Sequence, residues 1–297
     1  VDTRAFCPSL SRLSNEERLA YFNTAASGLE TNDHKLSGNF SSGITYTAQI
    51  STPTEHTQFF ASTDAQITVV ISSESLKWEV NGERSAQRKS FLKPEELNQD
   101  LAFIAGHYSG SPAVRLPVGK YNVVLGPAAT ADLLSYMGYA ALQGGAFKRN
   151  YSFLKAEDIG QRVLSEQFTL LDDPRESELF AQSHDIYGIE RQPFYSFRNG
   201  VFEGFIWEQD DADEFAEQPT GHSVYHTSMV MDGGTEDVPD LQALAAMAKE
   251  ADLLYIPYLH YMNIVNPTKG LVTGSSRFGA LMFRQDGRVE VPYNVRL

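Results

Sequence analysis

Three histidines stand where they could share a metal ion. His222 and His226 have an H-x-x-x-H spacing, which puts two side chains on one face of a helix or strand, and His260 lies downstream. Neutral imidazoles of this kind hold zinc. No carboxylate stands between them as in H-E-x-x-H, so the set has no built-in base, and the plainer reading leaves His222 in a loop with His226 incidental. Asp172 and Asp173, ahead of Pro174, could act as an acid/base pair. Adjacent carboxylates before a proline more often end a strand, with one Asp bonding to backbone. The acidic run Glu208–Glu217 could draw a cation or a basic peptide, but reads first as a solvated helix or loop. Ser135 as a nucleophile lacks the G-x-S-x-G elbow and a base nearby in sequence. Tyr258, Tyr261 and Met262 would let an extended peptide add a strand, with core packing as the default.

The elements around these residues organise on Tyr121–Phe147. Val123–Leu125 reads as a buried strand, ended by Gly126-Pro127. Thr130 suits an N-cap, with Asp132 in the first helical turn. From Ala131 to Leu142 the residues are apolar on nearly all sides, which predicts a buried helix, and Gly144-Gly145 supplies its stop. Upstream, Ser14–Glu17 is a capping box before a helix that ends at Gly28. Ile44–Ile50, Gln66–Ser72 and Lys77–Val80 have strand character, and Asn81-Gly82 signals a hairpin turn. Pro94 opens a helix to about His107. Downstream, Asn199-Gly200 and Asp286-Gly287 signal two more hairpins. A helix over about Asp240–Ala251 precedes a strand, Leu253–Leu259. The expected class is α+β: a partial N-terminal α/β domain over residues 1–111, then a C-terminal domain over 112–297. The second is mainly antiparallel and barrel-like, wrapped around the helix 131–142, with the boundary at Ser109–Pro112.

Composition narrows the function. The chain has 297 residues, 42% hydrophobic, with 38 acidic against 24 basic side chains and a net charge of −14. No basic stripe is present for a phosphate backbone, so a nucleic-acid surface is not expected. No apolar run approaches the roughly 18 residues of a membrane helix. The single cysteine, Cys7, excludes an intrachain disulfide and a cysteine-based metal site, so the cytoplasm is the expected compartment.

The phrase Leu116–Ala129, LPVGKYNVVLGPAA, followed by the apolar helix, resembles the TldD/PmbA (TldE) family, known also as modulators of DNA gyrase. LSEQFTLLDDP (Leu164–Pro174), RNGVFEGFIW, PTGHS (Pro219–Ser223) and the terminal Asn266–Leu297 resemble further family phrases in the same order. The family's D-D-E-G stands here as HDIYG, His184–Gly188. In the TldD branch the helix carries H-E-x-x-x-H, whose histidines hold zinc and whose glutamate is the base. The matching positions here are Ser135, Tyr136 and Ala140, and Ile256 matches the third ligand, a cysteine. On a regular helix residues five apart lie ~140° apart, so two ligands at that spacing need a local distortion.

The resemblance therefore implies the PmbA-like branch, with Ser135, Tyr136, Ala140 and Ile256 as vestigial metal-site positions and no cofactor. Tyr136 and Tyr139 would line a peptide cleft. Family members are longer at the N-terminus, which implies a chain lacking the first part of that domain. The implied function is a non-catalytic subunit of a metallopeptidase system in proteolysis or maturation of small or unfolded peptides. It would act as a homodimer or as a heterodimer with a TldD-like zinc peptidase, with a peptide substrate, no nucleic acid and no membrane. The alternative is a free-standing peptide-binding or structural protein of the same fold without peptidase activity. A peptidase using His222, His226 and His260 ranks last.

Overall fold

The computed structural model describes residues 2–52, 55–223 and 228–297. Helix α1 (Asn15–Ala26) opens on the capping box: the Ser14 hydroxyl accepts from the Glu17 amide at 3.1 Å, and the Glu17 carboxylate accepts from the Ser14 amide at 3.0 Å. Strands β1 (Lys35–Ser51), β2 (His56–Ser73) and β3 (Trp78–Ala86) form an antiparallel sheet in chain order. Helix α2 (Pro94–Gly110), with Pro94 at its start, packs on β3. Asn81 and Gly82 are not the expected hairpin turn. They lie inside β3, opposite Val70 and Val69. The reason is a close approach: a Cβ on Gly82 would come within 2.7 Å of Leu97 and 2.9 Å of Leu101.

The chain continues through β4 (Asn122–Leu125), α3 (Pro127–Met137), a π turn (Gly138–Leu142) and α4 (Gly144–Lys148). Then follow β5 (Leu170–Asp172), β6 (Phe194–Arg198), β7 (Val201–Phe202), α5 (Gln209–Phe215) and β8 (Met229–Met231). The last part holds α6 (Leu241–Met247), β9 (Leu253–Ile256), β10 (Tyr258–Asn266), β11 (Leu271–Arg277), β12 (Leu281–Phe283) and β13 (Val289–Glu290). These strands make three sheets in the orders β13-β12-β9-β4, β7-β6-β5-β8 and β10-β11; between these strands only the β4–β9 pairing is parallel, beside isolated parallel bridges such as Val114 with Pro292 among the described residues. The two downstream hairpins stand as expected. Asn199 (φ 50°) and Gly200 (φ 77°) have the positive φ values of a type I′ turn, and Gly287 (φ 84°) turns β12 into β13. The run expected as one strand, 253–259, divides at Pro257, which has no amide to donate to a ladder.

The class is α+β with several antiparallel sheets, but the sheets do not close into a barrel. Without closure there is no interior for a central helix, and α3 lies on the surface. Ala131, Asp132, Leu133, Ser135 and Tyr139 are exposed, whereas Gly138, Ala141 and Leu142 of the π turn are buried. The helix starts four residues earlier than Thr130 suggests, at Gly126 with Pro127 in its first position. Gly144-Gly145 starts α4 instead of ending a helix. Each glycine admits a neighbour: a Cβ would lie 2.4 Å from the Trp207 ring at Gly144 and 1.9 Å from the Asp211 carboxylate at Gly145.

Three cores hold the elements. The first joins α1, α2 and the β1–β3 sheet to Leu241, Leu244, Leu281, Phe283 and Val291, so residues on both sides of Ser111 share it. The second gathers Ala141, Leu142, Leu154, Leu170, Phe197, Phe202, Phe205 and Ile206. The third is Ala129, Leu254, Ile256, Leu259 and Met282. No helix among the described residues is long and apolar enough to cross a membrane.

The two kinds of glycine give opposite expectations. Gly82→Val forces the β3–α2 contact apart and should cost about 1–3 kcal/mol. Gly106→Ala, in the exposed face of α2 with open space at its Cβ, should gain about 0.5–1 kcal/mol. Urea denaturation of both variants measures the difference.

Candidate functional site

The parallel pairing of β4 with β9 places α3 across β10. The amide of Gly126 donates to the Ile256 carbonyl at 2.9 Å and that of Ala129 to the Pro257 carbonyl at 3.2 Å, which anchors the start of the helix. Further along, the Tyr136 hydroxyl donates to the Met262 carbonyl at 2.7 Å. That contact falls where β10 loses register with β11 between His260 and Asn263, and Tyr261 there has φ 53°. Asp132, one helical turn before Tyr136, lies near His260: although the residue is exposed overall, partial desolvation of its carboxyl lifts it above the ordinary range, and His260 partly offsets this. Nothing in sequence pairs Asp132 with His260, because they come together only through the β4–β9 seam.

Ser135 is exposed and donates to the Ala131 carbonyl at 2.9 Å, a local helix bond. Ala140 lies in the π turn Gly138–Leu142, whereas Ser135 lies in the regular helix before it. The helix departs from regular geometry only after Met137, and the side chains at 135 and 140 are a hydroxyl and a methyl. Ile256 is fully buried in the third core beside Ala129, at the opposite end of α3 from Ala140. Ser135, Tyr136, Ala140 and Ile256 do not fit a zinc ion, since none offers an imidazole, thiolate or carboxylate. Tyr139 is exposed, next to the half-buried Tyr136.

Asp172 has a structural setting. It is 2% exposed, its Oδ1 accepts from Arg191 Nη2 at 2.7 Å and from the Ser228 amide at 2.8 Å, and Arg191 is itself buried. Asp173 closes the turn after β5, accepting from the amide and guanidinium of Arg175. His222 is 1% exposed beside this pair, against the Phe194 ring at 5.3 Å. The backbones of Thr220 and Gln192 approach its ring, but among the described residues neither ring nitrogen completes a hydrogen bond. Burial pushes its pKa down; the Arg191 charge adds to this and the Asp172 charge opposes it. His260 sits on β10 in a different sheet, and His226 lies outside the described residues. Among the described residues no group of three or more His, Cys, Asp or Glu could hold a metal ion. The acidic run forms α5, with Asp211 paired to Arg149 at 2.9 Å, Glu214 also to Arg149, and Glu217 to Lys148 at 3.0 Å.

The fold as a whole recurs in solved structures. A Bacteroides thetaiotaomicron protein described as a candidate modulator of DNA gyrase matches with TM-score 0.78 and 19% identity, over 99% of this chain and 66% of that one. TldE from Thermococcus kodakarensis matches with TM-score 0.70 and 16% identity, over 97% and 66%. At these identities the likeness is one of fold. In sequence, residues 118–295 match the PmbA/TldA metallopeptidase C-terminal domain. The chain belongs to the TldD/PmbA family. It is 27% identical over 137 residues to a protein of Methanocaldococcus jannaschii, covering 46% of this chain and 32% of that one. It is 26% identical over 125 residues to a metalloprotease of Methanothermobacter thermautotrophicus, covering 40% and 27%. The chain thus matches about a third or less of these relatives' lengths and about two thirds of the solved chains.

Two outcomes follow from the buried cluster. Arg191→Met leaves the Asp172 carboxylate buried without its cation and should cost about 3–5 kcal/mol, while Asp172→Asn combined with Arg191→Met should cost less, by chemical denaturation. His222 has its folded pKa below the ordinary 6.5, so the unfolded chain takes up the proton first as pH falls. Its contribution to stability is present above about pH 6.5 and is lost progressively below that value. Stability measured against pH should show this slope, and His222→Gln should flatten it.

Proposed function

We propose that the chain is a non-catalytic subunit of a TldD/PmbA-type metallopeptidase system, paired with a TldD-like zinc peptidase that processes small or unfolded peptides. The observation that carries this reading is the chemistry along α3. The positions that hold zinc and its base in the TldD branch are Ser135, Tyr136 and Ala140 here, with both hydroxyls already bonded to backbone carbonyls. Other side chains occupy the ligand positions, which is what makes Ser135, Tyr136, Ala140 and Ile256 vestigial positions in this reading. Exposed Leu133 on α3, Tyr139 on the π turn, and Tyr261 and Val265 on the adjoining β10 support a face that a partner subunit covers.

Co-expression with a TldD-like protein from the same source tests the pairing. The expected result is co-elution at fixed stoichiometry, with chelator-sensitive cleavage residing in the partner. Stoichiometric zinc on this chain alone, with cleavage by it alone, would overturn the reading. The triple variant Ser135→His, Tyr136→Glu, Ala140→His should bind zinc only weakly in a zinc titration and cleave nothing. It supplies no third ligand, lacks groups to orient the imidazoles, and removes the Tyr136–Met262 bond that seats the helix.

A further inference from the structure

Away from α3, the turn between β2 and β3, the C-terminal end of α2, and the segments after β11 and β13 enclose an open groove of about 1170 Å³. Its walls are aromatic. Trp78 packs edge-on against Tyr108 at 5.8 Å, and Tyr108 is tied down by its hydroxyl, which donates to the Ala280 carbonyl at 3.1 Å. Phe278 and Tyr293 close the other side. The charge of the groove runs against that of the chain. Lys77, Arg115 and Arg277 line it with one carboxylate, Glu79, in a protein of net charge −14.

Among the described residues Arg115 and Arg277 have no carboxylate partner, a state they share with Arg12, Arg18, Arg88 and Arg296, but these two line one groove. Arg277 lies over the Tyr261 and Phe278 rings, 5.4 and 5.8 Å from their centroids, which holds the guanidinium without using up its N–H groups. The backbone that carries these cations is pinned. The amide of Val114 donates to the Val291 carbonyl at 2.8 Å and that of Tyr293 to the Val114 carbonyl at 2.9 Å, so the residue just before Arg115 is held on both its backbone groups. The amides of Ser276 and Val295 are likewise tied to the Val295 carbonyl and the Ser276 hydroxyl, each at 2.8 Å, next to Arg277.

We propose that this groove binds a carboxylate carried on an apolar or aromatic body, the chemistry of a peptide's C-terminal residue or of a single N-acylated amino acid. Guanidinium groups take a carboxylate through paired N–H donors, and aromatic walls take the side chain beside it. A polyanion fits poorly, because beyond the groove it would meet the negative field of the whole chain. A volume at or above the roughly 300–1,000 Å³ of ordinary ligand sites leaves room for more than one residue.

Calorimetric titration of the whole chain with N-acetyl-alanyl-phenylalanine as the free acid, as the C-terminal amide, and with N-acetyl-phenylalanine tests this. The free acid should bind, and the amide should bind about tenfold more weakly or worse. Arg277→Gln and Arg115→Gln should each weaken the acid by a similar factor while keeping the parent melting curve. Equal affinity for the one- and two-residue acids identifies a small acid as the ligand; affinity rising with length identifies a peptide end. Acid and amide binding alike, no binding of the acid, or full affinity in both arginine variants would overturn the proposal. The titration needs no partner, so its outcome is separate from that of the subunit reading.

Discussion

The sheet β13-β12-β9-β4 is the constraint on which the other elements depend. Its strands alternate strictly between two cores. Leu253, Tyr255, Leu281 and Phe283 face the first, with α1, α2 and α6, while Leu254, Ile256 and Met282 face the third, beneath the start of α3. A sheet buried on both faces needs apolar side chains in both registers, and a slip of one residue would exchange the two sets. The parallel β4–β9 pair, drawn from segments about 130 residues apart in sequence, closes this sheet and fixes where α3 can lie.

The candidate site follows from that closure. With β4 in place, Pro127 starts α3 over Pro257, and the helix runs along β10 until Tyr136 reaches the Met262 carbonyl at the bulge. Beyond Met137 the chain must turn its apolar residues into the second core, against Phe205 and Ile206, and there the helix widens into a π turn. The widening and the burial of Ala141 and Leu142 coincide, so the π turn is part of how the helix joins two cores.

The buried Asp172–Arg191 pair shows how an acidic chain places charge inside. Its carboxylate is oriented by a guanidinium and by the Ser228 amide, and it crosses from β5 to the segment before β6. Such a pair adds little net stability compared with apolar packing but penalises any arrangement that separates its members. His222, neutral beside it, ties the same region to pH. Elsewhere carboxylates hold arginines at the surface, as in α5 with Arg149, whereas the groove gathers Lys77, Arg115 and Arg277 with one carboxylate, Glu79.

Sequence alone determined the features set by neighbouring residues: the Ser14–Glu17 capping box, Pro94 at the head of α2, and the hairpins at Asn199-Gly200 and Asp286-Gly287. It also carried the family, through ordered phrases from Leu116 onward, and the identities of Ser135, Tyr136 and Ala140 on the helix. Each of these depends on local backbone geometry or on residue type, which a chain displays without folding. Tertiary structure decided the rest. Gly82 and Gly144-Gly145 read as turn and stop signals, yet they are places where Leu97, Trp207 and Asp211 press against bare backbone. The helix read as buried because apolar residues surround it, yet whether that surface meets a partner depends on sheet closure, which local pattern does not encode. Ile256 beside Ala129, Asp132 near His260, and Arg115 with Arg277 in one groove all join segments more than 120 residues apart. Their proximity comes from the β4–β9 pairing and the cores around it, where burial of apolar area and hydrogen-bond register, not sequence spacing, set the distances.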